Sequence, residues 1–169
     1  VGATGVDTLI ASAGVAKATF YRHFPSKDDL VVAWLRDPRT RWLDRLRVDA
    51  EAHATSPDEV IPALFDAVVE WLETDGQRGC PYLGTAIAMP ELAEPALAVI
   101  RAYLVEVQGY IQERLTAAGD PDADALAPKL QALLMGGMAL SVAVGDTNPA
   151  RAARAALTEL LGETPAIPR

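Results

Sequence analysis

Residues 13 to 24 read Ala13-Gly14-Val15-Ala16-Lys17-Ala18-Thr19-Phe20-Tyr21-Arg22-His23-Phe24, and Pro25-Ser26-Lys27 follow. Gly14 is suited to closing a short helix in a left-handed turn, and Pro25 cannot continue a helix from the residues before it. The stretch therefore predicts a helix from about Val6 to Ala13, a tight turn, and a second helix from about Ala16 to Phe24. Two short helices joined in this way form a helix-turn-helix, whose second helix offers its N-terminal side chains to the major groove of DNA. Leu9, Val15, Phe20 and Phe24 are the expected small core between them. Lys17, Thr19, Tyr21, Arg22 and His23, with Ala18 among them, fall on the outer face. Phosphate contacts would set the register of such a helix, and base-edge contacts from Lys17, Thr19 or Arg22 would read sequence. His23 stays open between a base contact and a bond to local backbone.

Outward from this motif the chain carries helical punctuation nearly everywhere, with no sustained alternation of period two, so the fold class is all-α. Ser26 is placed to cap a helix running through Leu30, Val31, Trp34 and Leu35 until Asp37-Pro38 interrupts it. Pro38 opens the next helix, with Trp42, Leu43 and Leu46 on its buried stripe. Ser56-Pro57-Asp58-Glu59 combines the S-x-x-E capping box with proline at the first helical position and leads Ile61, Leu64, Phe65, Val68 and Leu72 onto one face. A loop from Asp75 to Pro81, a short segment from Tyr82 to Met89 and a long helix from about Pro90 to Ala118 follow. Gly119-Asp120-Pro121 turns the chain into a helix from about Ala123 to Val144, apolar all round after Lys129, and Thr147-Asn148-Pro149 starts the last helix. A helix apolar on every side needs cover on every side, which implies a partner chain. Gly136-Gly137 inside it costs about 1 kcal/mol per glycine relative to alanine, a cost that close approach of the final helix or of a partner would offset.

Charge is unevenly spread along the chain. The net charge is −8 over 169 residues, yet residues 1 to 47 carry +3 and the remainder −11. A mildly basic end on an acidic body suits an orientation in which only that end approaches phosphate. Cys80 is the only cysteine, which excludes an internal disulfide and fits a reducing, cytoplasmic setting, with a buried inert thiol as the default reading. No signal peptide is read at the N-terminus, and the uncharged stretch Leu130 to Gly145 is shorter than a bilayer span, so no membrane partner is expected.

The run A-G-V-A-K-A-T-F-Y-R-H-F-P-S-K-D-D-L resembles the DNA-binding signature of the TetR family of repressors, closely over residues 5 to 35. The body, with Gly79-Cys80-Pro81, is similar to the ligand-binding half of that family. The resemblance implies that Lys17, Thr19, Tyr21 and His23 lie at the DNA face and that Lys27 contacts phosphate. It also implies a basic helix ahead of the motif, which would precede Val1, and a Ser or Thr cap where this chain has Gly5, so that the cap comes from Thr4 or goes unmade. Ile10 occupies a position usually held by a small residue.

These readings divide the chain into a helix-turn-helix headpiece with the start of a connector, residues 1–36, and a helical effector-binding and dimerisation bundle, residues 37–169. The function expected is a homodimeric regulator on double-stranded, pseudopalindromic operator DNA, released by a small, mostly apolar effector. Phe65, Tyr82, Tyr103 and Met135 are the candidate effector pocket, with plain core as the alternative for each. Leu133, Gly137, Leu140, Ala153 and Leu157, on the last two helices, are the candidate dimer interface. An enzyme is the rival class, but the sequence holds only His23 and His53 and shows no C-x-x-C, H-E-x-x-H, P-loop or G-x-S-x-G pattern; no catalytic residue, metal or cofactor is expected. An all-α adaptor with a degenerate helix-turn-helix is the other alternative.

Overall fold

The computed structural model describes residues 5–74 and 78–162, all of the regular structure in which is helical. The α-helices are α1 (Val6–Ala13), α2 (Lys17–His23), α3 (Lys27–Leu35), α4 (Trp42–His53), α5 (Val60–Thr74), α6 (Pro81–Ala88), α7 (Glu94–Ala117), α8 (Ala123–Val144) and α9 (Asn148–Leu160), with single 3₁₀ turns at Pro38–Thr40 and Pro57–Glu59. The first compact unit combines the chain through Arg41 with Pro81–Leu104, and the second combines Trp42–Cys80 with the chain from Val105. This division is discontinuous in sequence. It assigns α6 and the first half of α7 to the same unit as the helix-turn-helix, whereas the sequence suggests a single cut after residue 36.

In the first unit, α3 starts on a complete capping box: Ser26 Oγ accepts from the Asp29 amide at 3.1 Å, and the Asp29 carboxylate accepts from the Ser26 amide at 3.0 Å. The helix stops at Leu35 because Pro38 restricts the residue before it and has no N–H to give. The Leu35 carbonyl at its end is buried and needs partners. Tyr82 Oη on α6 donates to the Leu35 carbonyl at 2.8 Å, and Thr40 Oγ1 lies 2.7 Å from the Asp37 carbonyl. Tyr82 stacks on Tyr103 of α7 with ring centroids 3.7 Å apart, and the Arg41 guanidinium sits 5.2 Å from the Tyr103 centroid. Alpha7 begins at Glu94 rather than Pro90, because the chain first makes a turn closed by the Leu92 amide on the Met89 carbonyl, with Leu92 buried beneath it.

In the second unit, α4 packs on α5 through Leu43, Leu46 and Ala50, and the two indoles Trp42 and Trp71 lie nearly parallel with centroids 6.1 Å apart. The face expected on α5 is buried in full, joined by Val60 and Val69. Its start differs from the expected box. Ser56 makes no side-chain cap; Glu59 instead accepts from the amide and the hydroxyl of Thr55, both at 2.7 Å. Those two donors hold the Glu59 carboxyl below its usual pKa. The loop expected from Asp75 begins outside the described residues.

Helix α8 packs on α9 and α5. Gly137 explains how closely α9 approaches: a Cβ there would stand 2.7 Å from the Ala153 Cβ and 3.2 Å from the Pro149 carbonyl oxygen. For Gly137, the final helix, one of the two offsets anticipated for the paired glycines, is found in close approach. A Cβ on Gly136 would meet nothing within 4 Å. Taken as a whole, α8 is long and apolar enough to cross a membrane by length and composition, which the uncharged stretch alone understates. Its buried residues, among them Leu130, Leu134 and Met138, are core of the second unit, and Ser141 Oγ accepts from the Ala150 amide at 3.0 Å.

Candidate nucleic-acid interface

The helix-turn-helix is built as its sequence requires. Gly14 takes φ +65°, a left-handed conformation that an L side chain rarely adopts, and its amide closes α1 on Ala11. Alpha1 starts at Gly5 without a side-chain cap; Thr4, the other expected source, lies outside the described residues. Phe20 is buried against Tyr21 and Phe24, with centroid separations of 5.4 and 5.6 Å. The small core departs from expectation at one position. Val15 is 39% exposed, and Ile10 is buried in its stead, because the tight turn sends the chain outward immediately after Gly14. Leu9 and Phe24 are half-buried.

With Phe20 turned inward, helical periodicity places Lys17, Ala18, Tyr21, Arg22 and His23 on the exposed side of α2, and Thr19 is half-buried. Lys27, at the first position of α3, is half-buried and has interactions of its own. Tyr21 meets Phe20 only edge-on and is 40% exposed, so its hydroxyl faces water. A helix with an apolar anchor on one side and a phenol, a guanidinium, an imidazole and an ammonium on the other can donate to phosphate oxygens and to base edges. The sequence did not signal one partner: Asp7 of α1 holds the Lys17 ammonium at 2.8 Å. Its hydrogen bond, and secondarily its charge, raise the Lys17 pKa above the ordinary value. The two residues are ten positions apart, a spacing no helical periodicity exposes.

The other expected sites fare differently. Tyr82 and Tyr103 are filled core of the first unit, in contact with each other. Phe65 and Met135 are buried in the second. A solvent-open groove of about 700 Å³ between α4 and α5 has other walls, including Arg45, Asp49, Asp66, Glu70, Trp71 and Arg154, with Arg154 paired to Asp66 at 2.9 Å. Among the five residues expected at a subunit interface, Gly137 and Ala153 meet where α9 closes on α8, and both are buried within the chain, as is Leu157. Leu140 is 57% exposed and Leu133 half-buried. Cys80 is buried, and Trp42 Nε1 donates to its sulfur at 3.2 Å. Among the described residues, no group of three or more His, Cys, Asp or Glu could hold a metal ion.

Comparison with known families and folds agrees with this architecture. Residues 1–34 match the family of bacterial regulatory proteins of the TetR type, and residues 59–157 match a tetracycline repressor-like C-terminal domain. The fold is similar to that of a TetR-family transcriptional regulator from Streptomyces coelicolor, with a TM-score of 0.81 and 28% identity over 94% of this chain and 84% of that one. It is similar in fold to the regulatory protein TetR from Rhodobacter sphaeroides, with a TM-score of 0.78 and 21% identity over 93% of this chain and 87% of that one. A TetR-family regulator from Agrobacterium tumefaciens gives 0.76 and 22% over 92% and 85%. No curated protein matches the chain.

Proposed function

This chain belongs to the TetR family of bacterial transcriptional regulators, and from that premise we propose that it is a cytoplasmic repressor that binds a pseudopalindromic operator as a homodimer and is released by a small, mostly apolar effector. The observation that carries the reading is the division of α2 into a buried Phe20 and an exposed row of Lys17, Ala18, Tyr21, Arg22 and His23, on a helix held by the Gly14 turn. Lys17 and Arg22 reach bases or phosphates, Thr19 and Tyr21 donate hydroxyls, and Lys27 adds a phosphate contact at the start of α3. Two such helices, one from each subunit, would occupy successive major grooves about 34–36 Å apart.

The interface of the proposed dimer lies on the face of α8 that the chain itself leaves uncovered. Leu133, Gly136, Leu140 and Val144 recur there at intervals of three and four, with Leu140 and Val144 exposed. The effector reaches Tyr82 and Tyr103 by parting their stack. Loss of that stack frees the Tyr82 hydroxyl from Leu35, the last residue of α3, and so acts on the helix that follows α2.

The test is selection of binding duplexes from a random library with the full chain. A palindromic consensus, bound by a dimer and lost on Tyr21→Ala or Lys17→Ala, is the expected result. A chain that enriches no sequence, or binds every duplex weakly and without dependence on salt, would exclude the reading in favour of an adaptor.

A further inference from the structure

Alpha2 opens with Lys17, an unfavourable place for a cation, because the amide dipoles of a helix present partial positive charge at its N-terminus. Asp7 sits in the first turn of α1, where the same dipole favours a carboxylate. The Asp7 Oδ1 to Lys17 Nζ distance is 2.8 Å, and both side chains are open to water, 79% and 63% exposed. Neither is needed to fill the core. The ammonium that the recognition helix offers first is thus already paired with a carboxylate of the preceding helix of the same motif.

We propose that Asp7 sets the specificity of DNA binding by holding Lys17 back from nonspecific phosphate. The inference rests on the DNA-binding reading above. On any duplex, Lys17 can exchange its carboxylate for a phosphate oxygen, but that exchange gains little, since one anion replaces another and Asp7 is left facing the phosphates. At the operator, base-edge acceptors add directed hydrogen bonds and the exchange becomes favourable. Asp7 therefore weakens binding to arbitrary DNA more than binding to the operator, widening the ratio between them. Asp7 is a positioning and restraining residue; it makes no favourable contact with DNA itself.

The experiment compares wild type, Asp7→Asn, Lys17→Ala and the double variant as full chains, against sheared genomic DNA and against the duplex selected by wild type, over a range of salt concentrations. Asp7→Asn is expected to bind sheared DNA about two- to fivefold more tightly, the size of an exposed ion pair. Its salt slope should steepen by about one ion, with a smaller gain on the selected duplex. In the Lys17→Ala background the same change should have no such effect. Equal gains on both DNAs, or a gain that persists without Lys17, would overturn the proposal by reducing Asp7 to one more repelling charge; so would no change at all. Failure of wild type to select any duplex would instead overturn the DNA-binding reading and this inference with it.

Discussion

The Tyr82 hydroxyl donates to the Leu35 carbonyl at 2.8 Å across 47 positions of sequence, tying α6 to the end of α3 inside the first unit. Tyr82 is fully buried, so Tyr82→Phe leaves its volume intact and removes one partner from a buried carbonyl. The cost should be about 1–3 kcal/mol, lowering the melting temperature by roughly 2–4 °C for each kcal/mol in a chain of this size. Thermal denaturation followed by circular dichroism measures it directly. An unchanged melting temperature would mean that Thr40, whose hydroxyl lies 3.2 Å from the same carbonyl, suffices alone.

Gly136 and Gly137 are adjacent in sequence and opposite in consequence. A methyl group on Gly137 enters the space held by Ala153 and the Pro149 carbonyl, where α9 backbone rather than a flexible side chain must move. Gly137→Ala should therefore destabilise by about 1–3 kcal/mol through overpacking. Gly136→Ala meets nothing and should be neutral or stabilising by up to about 1 kcal/mol, from helix propensity. Urea denaturation of the two variants should show equal slopes, a lowered midpoint for Gly137→Ala and an unchanged or raised one for Gly136→Ala.

How far the sequence could be read depended on whether a signal was local. Gly14 and Ser26 act on their own neighbours, and α1 ends and α3 starts where those signals predict. The burial of Phe20 against an exposed α2 face is likewise a matter of period 3.6. What was not legible depends on which nearby group a side chain meets once the turns are made, which the pattern of residue types does not decide. Ile10 rather than Val15 fills the motif's core, Thr55 rather than Ser56 caps Glu59, and Asp7 reaches Lys17. Gly137, Ala153 and Leu157, expected at an interface, are buried within the chain: apolar and small residues mark a close helix contact, but not whether the other helix belongs to the same chain.

Tyr110 gives a pH dependence of definite sign. Burial first, and then the Glu51 carboxylate that accepts its hydroxyl at 3.1 Å, push the phenol well above the ordinary value of 10.0. The folded chain thus holds this proton at a pH where the unfolded chain has released it. The stabilisation is fully present below pH 10 and declines as pH rises from there toward the folded pKa. Tyr110→Phe should flatten that part of the decline in alkaline denaturation curves. A native tyrosinate absorbance near pH 10 that is lost in Tyr110→Phe would refute it.

The uncovered face of α8 makes the last prediction. Leu140 is 57% exposed on a helix whose opposite side is core, so a charge substituted there leaves that core untouched. Leu140→Glu should leave the helical signal intact. If Leu133, Leu140 and Val144 are buried between subunits, the substitution places two like charges close to the twofold axis in a dry interface, where removing even one ion from water costs several kcal/mol. The dimer should then dissociate at micromolar concentration, giving the monomer mass in sedimentation velocity. Operator affinity should fall with it, since one recognition helix engages only a half-site. A wild-type chain that already sediments as a monomer, or a Leu140→Glu variant that remains dimeric, would place the interface elsewhere and leave the apolar stripe of α8 to another partner.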